Sequence, residues 1–421
     1  MKPGKNITLH FCNMRKLTIA LLSIFTFCIG TMAQVRTPAQ QLMTNEDSLH
    51  TGTGQSKTVI SGYGSAFYQR NFNDKTATIT LERAVLFVGH QFNSKISVFT
   101  ELEIENAKVE GGDGGGEVAM EQAYLKFNLN SRQYITAGLF IPRVGILNEN
   151  HLPVNFNGTE RPIVEQLVIP ATWRELGIGF YGRTKKINYT ISLMNGLNSS
   201  SFEHGSGLRE GRFEGKNATA NNLSISAAIQ YYLHDFTFQL SGYAGGTNGL
   251  SKRGSDSLHL SSGIFGLPVY LGEADIQWAK NGISAKLLGA YISFPDASNI
   301  NKAYGNNLSN TMYGAYAELA YNLLEHSKKM KGQQINIFGR YEILDLNSSI
   351  PANAIYDGTE KQQHIIFGLS YLPIRNIVIK ADVRLLHTGA ENPDLVTNPS
   401  PVRMPYKQSN QFLNIGIGYS F

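Results

Sequence analysis

The sequence predicts an all-β fold, a transmembrane antiparallel β-barrel of about 16 strands with an inward-folded loop. Three observations support this fold class. Apolar residues alternate with polar or small residues over most of the chain, which is the period of a strand with one apolar face. The links between these segments are alternately short and long, a rhythm typical of membrane barrels. The chain also has 42 Gly, 20 Tyr and 22 Phe but only 16% charged residues, which fits many short strands with Gly-rich turns.

The N-terminal segment has the pattern of a secretory signal peptide. Arg15 and Lys16 precede an apolar stretch that ends in small residues. This stretch is too short to span a bilayer as a helix. We therefore predict a signal peptide over residues 1–33, with the functional start at Met14, and a flexible periplasmic leader over residues 34–58.

The signal peptide accounts for most of the apparent basicity of the chain. The whole chain has 37 Lys and Arg against 32 Asp and Glu, and residues 1–33 hold four of the basic residues and no acid. The remaining charges nearly cancel, so composition gives no argument for nucleic-acid binding. Both cysteines, Cys12 and Cys28, also lie in the signal peptide. We therefore predict that the exported chain uses neither disulfides nor cysteine metal sites.

Residues 59–421 contain the alternating segments and form the predicted barrel. Their period is two, and helical spacing fits none of them. The predicted strands are 59–70, 76–91, 95–106, 117–129, 132–141, 173–184, 186–196, 221–232, 235–246, 267–279, 282–293, 311–323, 333–346, 361–372, 375–388 and 410–421. Their number is even, as in bacterial single-chain barrels.

The links between the strands predict the orientation of the barrel. We assign the short links to periplasmic turns and the longer polar links to external loops, which leaves both chain ends in the periplasm. The short links are Asn93-Ser94, Asn130-Ser131, Thr184-Lys185, His234-Asp235, Asn281-Gly282 and Pro373-Ile374. The longer links are 107–116, 142–172, 197–220, 247–266, 294–310, 347–360 and 389–409, and 324–332 is an irregular turn. The GGDGGG stretch at 111–116 is predicted to be a flexible external loop.

The last strand has one apolar face and one small, polar face. Its apolar positions are Leu413, Ile415, Ile417, Tyr419 and Phe421. We predict that this face contacts outer-membrane lipid and that the strand closes the barrel against the strand beginning at Val59. A terminal Phe with apolar residues at every second position resembles the signal read by barrel-assembly machinery, which makes that machinery a predicted partner. The predicted location is the outer membrane of a Gram-negative bacterium.

Residues that alternate with the lipid-facing positions should line the lumen. They carry both charge signs in nearly equal number, which fits either internal salt bridges on a solvated face or the electrostatic lining of a channel. These candidates are Glu101, Glu103, Glu105, Lys126, Arg183, Glu273, Asp275, Gln277, Lys286, Glu318, Arg340, Glu342, Lys380, Asp382 and Arg384.

The link IPRVGILNENHLPVNFNGTERPIVEQLVIPATWRELG, residues 141–177, is too long for a turn and too apolar for a solvated loop. Long ordered loops in compact domains tend to be functional. The segment either folds inward and narrows a channel or caps the barrel mouth from outside. Its candidate pore-lining residues are Arg143, Glu149, His151, Glu160, Arg161, Arg174 and Glu175. We predict that Arg143 and Arg161 pair with Glu149, Glu160 or Glu165.

The stretch ITAGLFIPRVGILNE, with Gly138, Phe140, Pro142, Gly145 and Glu149, is followed by WRELGIGFYG. These residues resemble the phosphate-selective porin O and P family and related outer-membrane porins. The resemblance is sharpest over 138–182 and covers most of the predicted barrel. It implies sixteen strands, an inward-folded loop, a homotrimer and anion selection by lumenal arginines and lysines. The mixed charges of the inner face predict weak ion selectivity instead.

The predicted function is that of a porin, a water-filled channel for small hydrophilic solutes or ions, with phosphate among the candidate anions. The alternative is an outer-membrane adhesin or receptor barrel that binds ligands through its external loops. We predict no enzymatic activity, because the histidines are scattered and no nucleophile motif accompanies them. No cofactor or metal is predicted.

Overall fold

The structure of the chain, a computed structural model, describes residues 35–44, 57–106, 116–396 and 406–421. The strands are β1 (Lys57–Asn71), β2 (Thr76–Gln91), β3 (Ile96–Glu105), β4 (Glu117–Asn130), β5 (Gln133–Phe140), β6 (Glu175–Arg183), β7 (Ile187–Asn195), β8 (Leu223–Leu233), β9 (Phe236–Gly245), β10 (Val269–Lys280), β11 (Ile283–Ser293), β12 (Thr311–Asn322), β13 (Gln334–Ser349), β14 (Lys361–Ile374), β15 (Ile377–Thr388) and β16 (Ser409–Ser420). Each overlaps one predicted strand, with ends that differ by at most three residues. The alternating pattern therefore located each strand that the structure describes.

The sixteen strands form one closed barrel in which all neighbours are antiparallel. The first and last strands pair directly, with Tyr63 of β1 opposite Ser420 of β16. Closure satisfies the backbone hydrogen bonds of every strand and leaves no free edge, as a strand-built span in lipid requires. None of the helices in the described ranges has the length and apolar character needed to cross a membrane.

The barrel has an apolar exterior and a polar inner wall. Ile79, Leu319 and Ile417 are 81%, 60% and 57% exposed on the outside, whereas Glu101 and Arg340 are buried inside. This arrangement is the reverse of a soluble protein and matches a barrel surrounded by lipid. On β16 the predicted lipid-facing residues do lie outside, and their small or polar neighbours Asn414, Gly416, Gly418 and Ser420 lie inside.

The barrel has a turn end, which carries the short links, and a loop end, which carries the longer links. One predicted short link is wrong: Pro373 and Ile374 belong to β14, and the turn is Arg375-Asn376. The ladder between β14 and β15 is irregular from Tyr371 to Ile374, so the missing N–H of proline breaks no regular pair. Most of the GGDGGG loop lies outside the described residues, as do the predicted signal peptide and residues 397–405.

In the described part of the chain, four short α-helices accompany the strands: α1 (Pro38–Thr44), α2 (Val164–Leu167), α3 (Lys252–Leu258) and α4 (Ala297–Tyr304). The sequence predicts a flexible leader over 34–58, but α1 packs inside the barrel near the turn end. The Ala39 amide donates to Ser61 Oγ at 3.3 Å, and Lys126 Nζ donates to the Leu42 carbonyl at 2.9 Å. Polar groups of the barrel wall thus hold this segment, a role that its own aperiodic sequence does not reveal.

An apolar cluster fills part of the barrel interior. On the inner wall of β9 to β13, near the loop end, it includes Tyr243, Leu271, Leu288, Ile292, Met312, Tyr316 and Leu344. The prediction that the residues alternating with the lipid-facing positions line a watery interior is therefore wrong on this side of the barrel. The reason is that the long link after β5 packs against these side chains.

Candidate functional site

The link between β5 and β6, residues 141–174, folds into the barrel and crosses to the opposite wall. The Thr159 amide donates to Asp382 Oδ2 on β15 at 2.6 Å, and the Val164 amide donates to Glu342 Oε2 on β13 at 3.0 Å. These contacts confirm the prediction of an inward-folded loop, and they are incompatible with an external cap. We call residues 141–174 the inner loop.

The inner loop folds inward because its apolar side chains have a buried surface to contact. Val144, Leu152, Val164, Ile169 and Trp173 are all fully buried. Burial of side chains of this size contributes about 1.5–3 kcal/mol each. Outside the barrel the same residues would be exposed to water, so their burial favours the docked loop.

Arg340 on β13 is the main ionic anchor of the inner loop. Its guanidinium contacts Glu342 at 2.8 Å and Glu318 at 3.2 Å, both on the barrel wall. It also donates to the backbone carbonyls of Asn157 at 3.1 Å and Glu160 at 3.4 Å. One wall arginine therefore bridges two wall carboxylates and the backbone of the loop.

Glu160 and Arg384 form a second anchor on β15 and β16. Their side chains lie 3.2 Å apart, and Asn414 Nδ2 donates to Glu160 at 3.3 Å. Lys380 lies 3.7 Å from the centre of the Phe156 ring, a cation–π contact with the inner loop. The prediction that Arg161 pairs with Glu149, Glu160 or Glu165 is wrong. Glu149 pairs with Arg143, Glu160 with Arg384, and Glu165 accepts from Tyr316. Among the described residues, Arg161 Nη2 is buried without a hydrogen-bond partner.

The predicted pair of Arg143 and Glu149 is present near the start of the inner loop, at 2.5 Å. Beside it lies a small cavity of about 60 Å³, between α1, β4 to β6 and the loop. The cavity is lined by Arg36, Gln40, Met43, Gln122, Tyr124, Tyr134, Thr136, Phe140, Ile141, Asn148, Glu149, His151 and Tyr181. Polar and aromatic groups thus surround the space that remains on this side of the lumen.

A carboxylate cluster joins the inner loop to β3 and β4. His151 Nε2 lies 3.4 Å from Glu101 Oε1 and 3.8 Å from Glu121 Oε2. The Tyr63 hydroxyl lies 3.4 Å and 3.3 Å from the same two oxygens. Glu103, the next inward residue of β3, contacts Arg83 at 3.3 Å. All of these side chains are buried, so the cluster is shielded from bulk water.

The remaining predicted residues lie at the end of the inner loop or at the turn end of the barrel. Arg174 contacts Glu214 at 2.9 Å, in the link between β7 and β8, and lies 4.0 Å from Glu121. Glu175 is buried and accepts hydrogen bonds from the side chains of Trp173 and Asn195. Arg183 lies at the turn end, where it donates to the Ser131 carbonyl at 3.4 Å, far along its strand from the loop end.

Burial changes the acidity of two groups on the inner loop. It lowers the pKa of His151 to about 4, although the Glu121 carboxylate acts in the opposite direction. It raises the pKa of Glu165 to about 7, although this carboxylate accepts hydrogen bonds from Tyr316 at 2.7 Å and from the Leu147 amide at 2.6 Å. At neutral pH His151 is therefore uncharged, and Glu165 titrates.

Glu121 is the site residue that strict alternation missed. The register between β3 and β4 shifts at Glu101, which pairs with Gln122, while Leu102 pairs with Met120. Glu121 is thus the extra residue of a β-bulge, and both Glu121 and Gln122 are buried on the inside. The sequence does contain one signal for this bulge: two successive polar residues, Glu121 and Gln122, in a strand that otherwise alternates.

A closed barrel with an apolar exterior, a charged inner wall and a loop folded inward has the fold of outer-membrane porins. The outer membrane channel DcaP of Acinetobacter baumannii superposes with a TM-score of 0.55 at 11% identity, covering 88% of this chain and 100% of that chain. OprB of Pseudomonas putida has a TM-score of 0.52 at 10% identity, with 87% and 94% covered. The anion-selective porin of Comamonas acidovorans has a TM-score of 0.51 at 10% identity, with 87% and 100% covered. The predicted outer-membrane location agrees with this fold.

Sequence comparison gives the family. No model of a known protein family matches the chain. A protein of Aquifex aeolicus (strain VF5), described as an uncharacterized protein, is 32% identical over 336 residues, which cover 77% of this chain and 74% of the relative. The chain belongs to the same protein family as this Aquifex protein. The resemblance to phosphate-selective porins in particular stays a prediction.

Proposed function

We propose that this protein is an outer-membrane porin through which small hydrophilic solutes and ions diffuse, with the inner loop forming the narrowest part of the passage. The observation that carries the proposal is the inner loop itself, docked across the lumen of a closed sixteen-stranded barrel. A barrel of this strand number is wide enough for an aqueous channel unless protein fills it. We propose that the inner loop leaves part of the lumen open and that the cavity beside the Arg143–Glu149 pair lies on the solute path.

We propose weak ion selectivity for this channel. Arg340 and Arg384 on the inner wall are each within 3.2 Å of a carboxylate, so neither presents an isolated positive charge to a passing anion. Charge-balanced linings give a weaker preference than rings of one sign. A reversal potential close to zero in a salt gradient is expected, and a strong preference for phosphate over chloride would contradict this part of the proposal.

We also propose that the barrel assembles as a homotrimer, as the family resemblance of the sequence implies. One structure with a similar fold, OmpT of Vibrio cholerae, is described in a trimer form. The mass of the folded, unboiled protein in detergent, measured by light scattering, tests this point. A monomeric mass under conditions that preserve channel activity would contradict it.

Planar-bilayer conductance tests the proposed channel and its constriction together. Replacing residues 152–159 by a short glycine linker removes the part of the inner loop between His151 and Glu160, and we expect conductance to rise severalfold. The barrel should stay folded, because no strand residue changes, and heat-modifiable migration on gels checks this. Deletion of α3, an exposed helix of the link between β9 and β10, is the matched control and should leave conductance unchanged.

Two results would count against the proposal. An unchanged conductance in the folded linker variant would place the constriction elsewhere. Persistent absence of single-channel steps from the folded wild-type protein would contradict the porin function and favour a receptor or adhesin barrel, which binds through its loops.

A further inference from the structure

The buried side chains of Glu101, Glu121 and His151 have the donor atoms and the spacing of a metal site. His151 Nδ1 lies 2.8 Å from the Asn148 carbonyl oxygen, which can only accept a hydrogen bond. Nδ1 therefore carries a proton, and in the neutral imidazole Nε2 carries the lone pair. This lone pair points at carboxylate oxygens 3.4 and 3.8 Å away. Without a further proton, three acceptors would face one another in this buried site, and either a proton or a metal ion between them resolves the conflict.

The neighbouring hydroxyl does not resolve this conflict. Tyr63 has one hydroxyl proton, and both carboxylate oxygens lie more than 3.2 Å from it. It can donate to only one of the two at a time. Whichever oxygen it leaves, that oxygen and His151 Nε2 still need a proton or a metal ion between them.

We propose that Glu101, Glu121 and His151 bind a divalent transition-metal ion, with Zn²⁺ as the ion that fits the donor set. The potential ligand atoms all lie within 4.8 Å of one another. Tetrahedral zinc with bonds of about 2.0–2.2 Å places its ligand atoms roughly 3.3 Å apart. The two measured nitrogen–oxygen separations are already close to this value. One imidazole and two carboxylates leave a fourth position for water or for the Tyr63 hydroxyl.

The surroundings of the three ligands support a metal site. The ring nitrogen of His151 that faces away from the site donates to a backbone carbonyl, as it does in most metal-bound histidines. Gln122 donates to Glu101 Oε2 at 2.6 Å, and Thr172 donates to Glu121 Oε1 at 2.6 Å. Each ligand is thus held through the atom that does not face the centre, which leaves the facing atoms available to a metal.

A metal at this position would join the inner loop to the barrel wall. His151 belongs to the inner loop, whereas Glu101 and Glu121 belong to β3 and β4. His151 and Gln122 also line the cavity beside α1, which provides an entry path from the lumen. The bulge that turns Glu121 inward supplies one of the ligands, in keeping with the frequent occurrence of bulges beside functional sites.

Metal binding to the folded protein tests the proposal. Detergent-purified barrel is treated with EDTA, dialysed against Zn²⁺ and analysed by inductively coupled plasma mass spectrometry and calorimetry. We expect one Zn²⁺ per chain at this site, at least 100-fold weaker binding in His151→Asn and Glu121→Gln, and about 10–100-fold weaker binding in Thr172→Val, which removes only the orienting hydroxyl.

A second group of potential ligands, His204, Asp357 and Glu360 at the loop end, provides the control. His204→Asn should leave the buried site intact. Zn²⁺ binding that is lost in His204→Asn but kept in His151→Asn would overturn the proposal, and so would equal binding by wild type and Glu121→Gln.

Wild-type protein gives a readout that does not depend on whether the variants fold. Because the metal binds the docked loop, the folded band on gels should persist to a higher temperature with Zn²⁺ than with EDTA. An identical transition in both conditions would also contradict the proposal, and heat-modifiable migration shows whether each variant is folded before its metal content is compared.

Discussion

Arg340→Leu should release the inner loop while the barrel stays folded. The substitution removes the guanidinium that donates to the backbone carbonyls of Asn157 and Glu160. It also leaves two buried wall carboxylates without that partner. The strand hydrogen bonds of β13 involve backbone atoms only, so the sheet register is unaffected.

The expected loss of free energy depends on the partners that each of the two carboxylates retains. Glu318 retains Lys286 at 3.7 Å, whereas Glu342 loses the guanidinium at 2.8 Å and stays covered by the Val164 amide while the loop is docked. Loss of one partner of a buried ion pair costs about 3–5 kcal/mol. We expect the lower end, about 3 kcal/mol, because only one carboxylate is left unpaired. That change shifts the equilibrium toward the undocked loop by on the order of a hundredfold.

Hydrogen exchange followed by mass spectrometry measures this shift directly. Peptides that contain the Thr159 and Val164 amides should exchange roughly a hundredfold faster in Arg340→Leu, and single-channel conductance should rise. Lys280→Leu is the matched control, because Lys280 pairs with Asp235 at 2.8 Å in a partly exposed position at the turn end, where such pairs contribute about 0–1 kcal/mol. Wild-type protection of these amides in the folded Arg340→Leu barrel would refute the assignment of Arg340 as the anchor.

Three further predictions concern the interior of the barrel. Glu165→Gln and wild type should protect the inner loop equally at pH 4 but not at pH 8. The raised pKa of Glu165 gives a contribution to loop docking that is complete below about 4.5 and lost as pH rises through about 7. Hydrogen exchange should therefore show the variant better protected at pH 8, and poorer protection there would contradict this. Deletion of α1 should enlarge the cavity it lines and raise conductance in planar bilayers, and an unchanged conductance would show that α1 lies outside the solute path. Gly418→Ala should lower the temperature of heat modification, because the added Cβ would lie 2.5 Å from Pro153 Cβ. Gly289→Ala is the control and should not lower this temperature, because nothing lies within 4 Å of its added Cβ. Equal transition temperatures would show that the inner loop moves to accommodate the methyl group without cost.

The sequence alone determined the barrel. Side chains alternate between the two faces of a strand, so an apolar residue at every second position marks both the strand and its lipid-facing side from local information. The ions on the opposite face, such as Glu101, Lys126 and Arg340, were found in the same way and do lie inside. The predicted Arg143–Glu149 pair was also accessible from sequence, because its members are six residues apart on one loop.

Tertiary structure alone decided which of these residues meet. Strict alternation could not find Glu121, because a bulge shifts the strand by one residue, and whether a bulge forms depends on the neighbouring strand. The sequence pattern also could not predict that His151 contacts β3 or that α1 lies inside the barrel. Nor could it predict that Glu160 pairs with Arg384 rather than with Arg161. These contacts join residues 22 to more than 200 positions apart, and they exist only because the closed barrel fixes the wall against which the inner loop and α1 pack.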